Sequence, residues 1–331
     1  MADVRLSEDS VQGFRALTVG NGLIAFTIVP ELGGKLISLR DLRTGREWLW
    51  TNPRLPYRRV EHGASYVREA DTGGWDECFP TVAPCAYPLP PWQGIALPDH
   101  GELWSQAWQA EVERTGGGGV AVRARADGVA LPYAFERRIG LEPGSAALRF
   151  DYALRSTASH DLAFIWSAHP LLVLEPGMRL TLPEGAVVHV NQGGSGPAPD
   201  EGEYAWPLRA KTPGGEVDLT RLPDPSAGVA FKLWSRPLPE GWVALAARNG
   251  GLRFEFDPAL LPQVGLWLNA GGWSGTGGEP YRNLGLEPCL GAQDSLQEAV
   301  ERYGRYGTLP AGGAREWWLE ARLSATQAMT L

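Results

Sequence analysis

Eight short segments of this chain alternate apolar and polar side chains, and that periodicity limits the fold class before any motif is considered. They run 23–29, 120–126, 134–141, 147–155, 228–234, 252–256, 264–269 and 316–323. A period of two turns one face of each segment to a core and the other away from it, as in half-buried strands. Turn-forming stretches separate them, such as Gly116–Gly119, the loop 193–200 and Gly271–Gly278, drawn from 42 glycines and 27 prolines. The pattern predicts an all-β fold, a large antiparallel β-sandwich with few short helices. One helix is expected over 295–303, where Leu296, Ala299, Val300 and Tyr303 share a face and Asp294 with Gln297 reads as a capping-box start.

No internal repeat or linker divides the 331 residues, so residues 1–331 are expected to form a single domain. Hydrophobic residues at 44% supply a core, and the 14 tryptophans either belong mostly to that core or include flat apolar faces of the kind that suit a pyranose ring. A net charge of −8 without a run of Lys or Arg argues against nucleic acid or an anionic membrane as partner and favours a neutral small molecule. Cys78, Cys85 and Cys289 lack the paired spacing of a zinc site or the density of a disulfide scaffold, so reduced thiols and no metal are expected. The first residues carry no apolar signal and no apolar run reaches about eighteen residues, which makes a cytoplasmic location the expectation. Phosphate-loop, dinucleotide, zincin and α/β-hydrolase signatures are all missing. The sequence does not fix an oligomeric state.

Leu286-Glu287-Pro288 offers a carboxylate on a stiff segment. Pro288 biases Glu287 to extended backbone, and Gly285 and Gly291 let other chain come close. Two histidine motifs precede it, His100 in Asp99-His100-Gly101 and His169 in His169-Pro170. Carboxyl and imidazole groups titrate near about 4.3 and 6.5, so together they can take and return protons close to neutral pH. Each has a competing reading: Glu287 paired with Arg282, His169 satisfied by backbone at a strand end, and His100 held by Asp99 in a turn. Trp75, Asp76 and Glu77, in the segment 71–80, combine an aromatic face with acceptors suited to sugar hydroxyls, or form an acidic surface turn. Trp267, Asn269 and Trp273 bracket a glycine-rich loop ahead of Glu287 and are candidates for the same cleft; for Trp267 the competing reading, a core residue of an apolar strand, is favoured.

The opening segment 23–34, His100-Gly101, His169-Pro170 and Leu286-Glu287-Pro288, in that order and spacing, resemble the aldose 1-epimerase (galactose mutarotase-like) superfamily. The resemblance implies a galactose mutarotase-like supersandwich and interconversion of the α and β anomers of an aldose. It implies that Glu287 is the base, His169 the acid and His100 a partner near the ring oxygen, with no cofactor. It places Arg68 in the region of the family's sugar-binding Asn-Arg pair, and leaves Asp218 as the one candidate for the family's mid-chain aspartate. The family's arginine after His-Gly is replaced by Leu103-Trp104. A carbohydrate-binding or sugar-sensing protein without turnover, on the same fold, is the alternative.

Overall fold

The computed structural model describes residues 3–191, 195–196, 198–212, 215–275, 277–291 and 293–326. Gly193, Gly194 and Pro197 of the expected loop, and Thr276 of the glycine-rich stretch, lie outside them. Two antiparallel sheets, of 12 and 8 strands, pack face to face. All eight alternating segments are strands, with ends within a few residues of those expected. Among the described residues, no helix is long and apolar enough to cross a membrane.

Six strands of the larger sheet carry the cleft: β1 (Lys35–Asp41), β2 (Gly74–Cys78), β3 (Trp166–Val173), β4 (Val229–Ser235), β5 (Gln263–Ala270) and β6 (Arg282–Leu290). Across the sheet they run β1-β2-β3-β6-β5-β4. One face of this sheet packs on the smaller one: the Trp75 ring stacks 4.5 Å from Phe150 and meets Phe254 edge-on at 5.4 Å. Burying such a ring contributes about 1.5–3 kcal/mol, so this face is the one the hydrophobic effect fixes. The other face is roofed by loops and a short helix, α1 (Tyr66–Glu69), and there the cleft lies. All five residues of β2 are therefore buried, on both sides.

Gly73 and Gly74 bring the chain into β2 with φ of 77° and 80°. A Cβ at Gly73 would run into the Trp50 carbonyl, and one at Gly74 into that of Leu36, so backbone passes where no side chain fits.

The expected late helix is irregular. A single α turn, Leu296–Glu298, continues as a π-helical turn over Ala299–Tyr303, and its N-cap is Ser295, whose hydroxyl accepts from the Glu298 N–H. The cap thus falls one residue after Asp294, because Asp294 is engaged elsewhere: its carboxylate takes a hydrogen bond from Lys232 Nζ at 2.6 Å.

Candidate active site

The register of three strands sets the site. Ser167 pairs with Cys289 and Leu171 with Gly285, so His169 on β3 stands opposite Glu287 on β6. His169 also pairs with Asp76 on β2, and Glu287 with Gly265 on β5. Side chains alternate along a strand. Asp76, His169 and Glu287 therefore share the face turned from the smaller sheet, and Gly285 and Asn283 lie on that same face of β6.

His169 is mid-strand rather than at a strand end, and Pro170 and Pro288 each remove one donor from the ladder beside the pair. His169 Nε2 lies 3.9 Å from Glu287 Oε1. That separation is too long for a hydrogen bond. Among the described residues Oε1 has no hydrogen-bond partner, and neither has His169 Nδ1, although both atoms are buried. Two proton-handling groups thus face one another across a gap that an oxygen atom could bridge.

Glu287 Oε2 is held from the other side by Lys232 Nζ at 3.3 Å, which replaces the expected partnership with Arg282. The Arg282 guanidinium donates to the Pro225 carbonyl instead. Burial pushes the Glu287 carboxyl above its ordinary range, and Lys232 works against that shift. Burial also pushes His169 well below the usual imidazole value, helped by the nearby His100, Lys232 and Lys35. For Lys232, burial opposes the charge, but Asp294 and Glu287 outweigh it and the ammonium is stabilised.

His100 enters from a loop with φ of 60°, a left-handed conformation that costs a non-glycine residue about 1–2 kcal/mol and is held here by tertiary contacts. Its Nδ1 is 2.9 Å from Asp99 Oδ1, its ring stacks on Tyr66 at 3.9 Å, and it meets His169 edge-on at 4.9 Å. Tyr66 in turn donates from its hydroxyl to Asp76 Oδ2 at 2.8 Å, and Lys35 Nζ reaches the same oxygen at 2.5 Å. This chain of contacts, anchored by β1 and β2, fixes His100 and orders the back of the site.

The resulting cleft has a volume of about 230 Å³, with His100, His169 and Glu287 at its floor and Trp267 and Trp273 along one wall. Cys78 lies beneath. Cys78, His100 and His169 each bring one donor atom within 4.8 Å of the others, close enough to share a metal ion. Burial raises the Cys78 thiol well above its ordinary value, so that set would bind a metal only by giving up a strongly held proton.

No protein-family profile and no curated protein matches the sequence. Solved structures do match. A galactose mutarotase-like protein from Clostridium acetobutylicum superposes with a TM-score of 0.69 at 12% identity, covering 98% of this chain and 99% of the other. A galactose mutarotase related enzyme from Lactobacillus acidophilus gives 0.61 at 16% identity, covering 95% and 99%. The fold is galactose mutarotase-like. At these identities the likeness establishes architecture, and the chemistry must be argued from the residues.

Within that mutarotase-like frame, the structure gathers Glu287, His169, His100 and Trp273 around one cleft, as the sequence suggested. Asp76 reaches the same side of the sheet but is committed to Lys35 and Tyr66, one layer behind the histidines. Four expected ligands go elsewhere. Trp75 and Glu77 occupy the opposite face of β2, inside the core between the sheets. There Glu77 accepts from Arg137 Nη1 at 2.7 Å, Trp166 Nε1 at 3.0 Å and the Tyr152 hydroxyl at 3.2 Å. Arg68 is exposed on α1 and does not line the cleft, whereas its neighbour Val67 does. Asn269 is buried and spends its amide on the turn, donating to the Trp273 carbonyl and accepting from the Gly272 and Trp273 N–H groups. It positions Trp273 instead of touching a ligand. Trp267, expected in the core, is half-buried and faces the cleft. Lys232, Asp294, Asp71 and Asn283 line the cleft without having been singled out. The available signal for the first was a lysine in an otherwise apolar strand.

Proposed function

We propose that the cleft takes a free aldose and interconverts its α and β anomers. The observation that carries this reading is the facing pair, the partnerless Glu287 Oε1 3.9 Å from His169 Nε2 in one cleft. In the forward direction Glu287 removes the proton of the C1 hydroxyl as the C1 to ring-oxygen bond breaks, and His169 delivers a proton to the ring oxygen. Rotation about the C1–C2 bond of the open aldehyde presents its other face. Closure then runs the transfers backwards: the hydroxyl proton returns to His169, and Glu287 gives its proton to the new C1 oxygen. Neither group is consumed.

The opposed shifts of the two groups suit this exchange. Raising the carboxyl and lowering the imidazole works against the ordinary preference of a shared proton for the imidazole, so the carboxyl becomes a competing place for it. Burial disfavours the charged form of each group. His100, tied to Asp99 and stacked on Tyr66, keeps a polar edge against His169 where the ring oxygen would lie.

Exchange NMR on a panel of aldoses, each at anomeric equilibrium, tests the reading. The expected result is accelerated α to β exchange of at least one sugar at catalytic protein concentration. A second reading, sugar binding without turnover, is favoured by one feature: the Lys232 clamp on Glu287 could hold the carboxylate as a structural anion. Binding of a sugar with no acceleration at any pH would select that reading and reject the first.

A further inference from the structure

Two acceptor atoms of the cleft have no part in the proton transfers and no hydrogen-bond partner among the described residues, Asp71 Oδ1 and Asn283 Oδ1. Both side chains are almost fully buried, at 5% and 1% exposure, and both line the cleft. Buried polar atoms nearly always find a hydrogen-bond partner, so two bare acceptors in one cavity mark places where donors are missing.

Asp71 is fastened through its backbone: its N–H donates to the Tyr66 carbonyl and its carbonyl accepts from Asn52 Nδ2 at 2.7 Å. Asn283 sits on β6 four residues before Glu287, on the same face and about 13 Å along the strand. Between them Gly285 presents no side chain, and Trp267 stands across from it on β5. The cleft is therefore a trough with proton-transfer groups at one end, hydroxyl acceptors toward the other and a tryptophan wall alongside.

The charges narrow what fits. Asp71, Asp99, Glu287 and Asp294 line the trough, and Lys232 is the one lysine or arginine among the described lining residues, already bonded to Asp294 and paired with Glu287. A phosphate or uronate would meet carboxylates with no free cation to answer it.

We infer that Asp71 and Asn283 form a hydroxyl-recognition subsite that selects neutral, unphosphorylated aldoses by accepting hydrogen bonds from hydroxyls remote from C1. This rests on the proposed aldose chemistry of the same cleft and adds to it a substrate class and two specificity residues. The resemblance pointed to Arg68 and Asp218 for sugar binding, and Arg68 is exposed outside the cleft, so specificity has moved to other elements of the same fold.

The test compares dissociation constants and exchange rates for D-glucose, D-galactose and D-mannose, their monodeoxy analogues and their phosphate esters, in the natural protein, Asp71→Asn and Asn283→Leu. Asp71→Asn replaces one carboxylate acceptor with an NH₂ donor on a side chain of the same shape. The expected result is that one deoxy analogue binds the natural protein about tenfold more weakly than its parent sugar, that this penalty disappears in one variant, and that phosphate esters bind far more weakly than free sugars. Deoxy penalties identical in all three proteins, or tighter binding of the esters, would overturn the subsite while leaving anomer exchange standing. No binding and no exchange of any aldose by the natural protein would overturn both.

Discussion

Lys232 Nζ lies 3.3 Å from Glu287 Oε2 and 2.6 Å from Asp294 Oδ1, so the carboxylate proposed as base shares its countercharge with a second acid. The lysine reaches Glu287 diagonally over β5, where Gly265 stands next to Glu287. Because Glu287 is fully buried, its readiness to ionise depends on this one ammonium more than on solvent.

Replacing Lys232 with Met should therefore let Glu287 keep its proton to higher pH. The acid limb of the pH–rate profile for anomer exchange is expected to move upward by about one unit or more, the usual effect of losing an opposite charge at this distance. Removing one partner of a buried pair also destabilises by about 3 kcal/mol, which urea unfolding would register. A variant with the profile in place and lowered stability would show that Lys232 holds the fold and not the base.

Glu287→Gln keeps the shape of the side chain and deletes its capacity to accept a proton. Exchange should fall by about 10²- to 10⁴-fold, the range ascribed to a positioned acid or base, while the dissociation constant of the sugar changes little. Saturation-transfer NMR on the variant separates the two quantities. Parallel loss of binding and rate would instead make the carboxylate a ligand-holding group.

Gly285→Ala probes how closely the carboxylate must be placed. An added Cβ would come within 2.6 Å of Glu287 Oε1 and 3.1 Å of Trp267 Cβ. The carboxylate oxygen is the end of a side chain and can swing, so the fold should survive with a small loss of stability. The base would be displaced by a fraction of an ångström to an ångström, a change that commonly costs up to about 10²-fold in rate. Thermal denaturation and exchange rates on one preparation decide it: near-normal melting with depressed exchange is expected.

The fold was legible because alternation and turn residues are local properties, and the same locality explains what was missed. Glu287, His169 and His100 could be read because each sits in a short motif. Lys232 and Asp294 join them only through sheet pairing between distant segments, and Asp294 looked like a helix cap because nothing local distinguishes a cap from an ion-pair partner. The errors over Trp75 and Glu77 were avoidable: a strand sends residues 75 and 77 to one face and 76 to the other, so the three could not share a cleft. Trp267 misled for the opposite reason. Flanked by apolar residues on a strand covered on both sides, it carries no parity signal to separate core from cleft.

Asp71 gives a prediction whose sign follows from linkage. Burial pushes its carboxyl from an ordinary 3.8 up to about 6. Between about pH 4 and pH 6 the folded protein therefore binds more protons at this residue than the unfolded chain, and stability contributed at low pH is lost as the pH rises through that window. Above it the buried anion costs on the order of 2–3 kcal/mol, from a shift of about two units at 1.36 kcal/mol each. Asp71→Asn carries no charge, keeps the shape of the side chain, and should be more stable than the natural protein by about that amount at pH 8 and not at pH 4. Denaturant unfolding at the two pH values measures it, and a gain of equal size at both would mean that packing, not ionisation, limits this position. A variant stabilised at neutral pH that also binds aldoses more weakly would show that the folded protein tolerates this buried acid because the sugar needs an acceptor there.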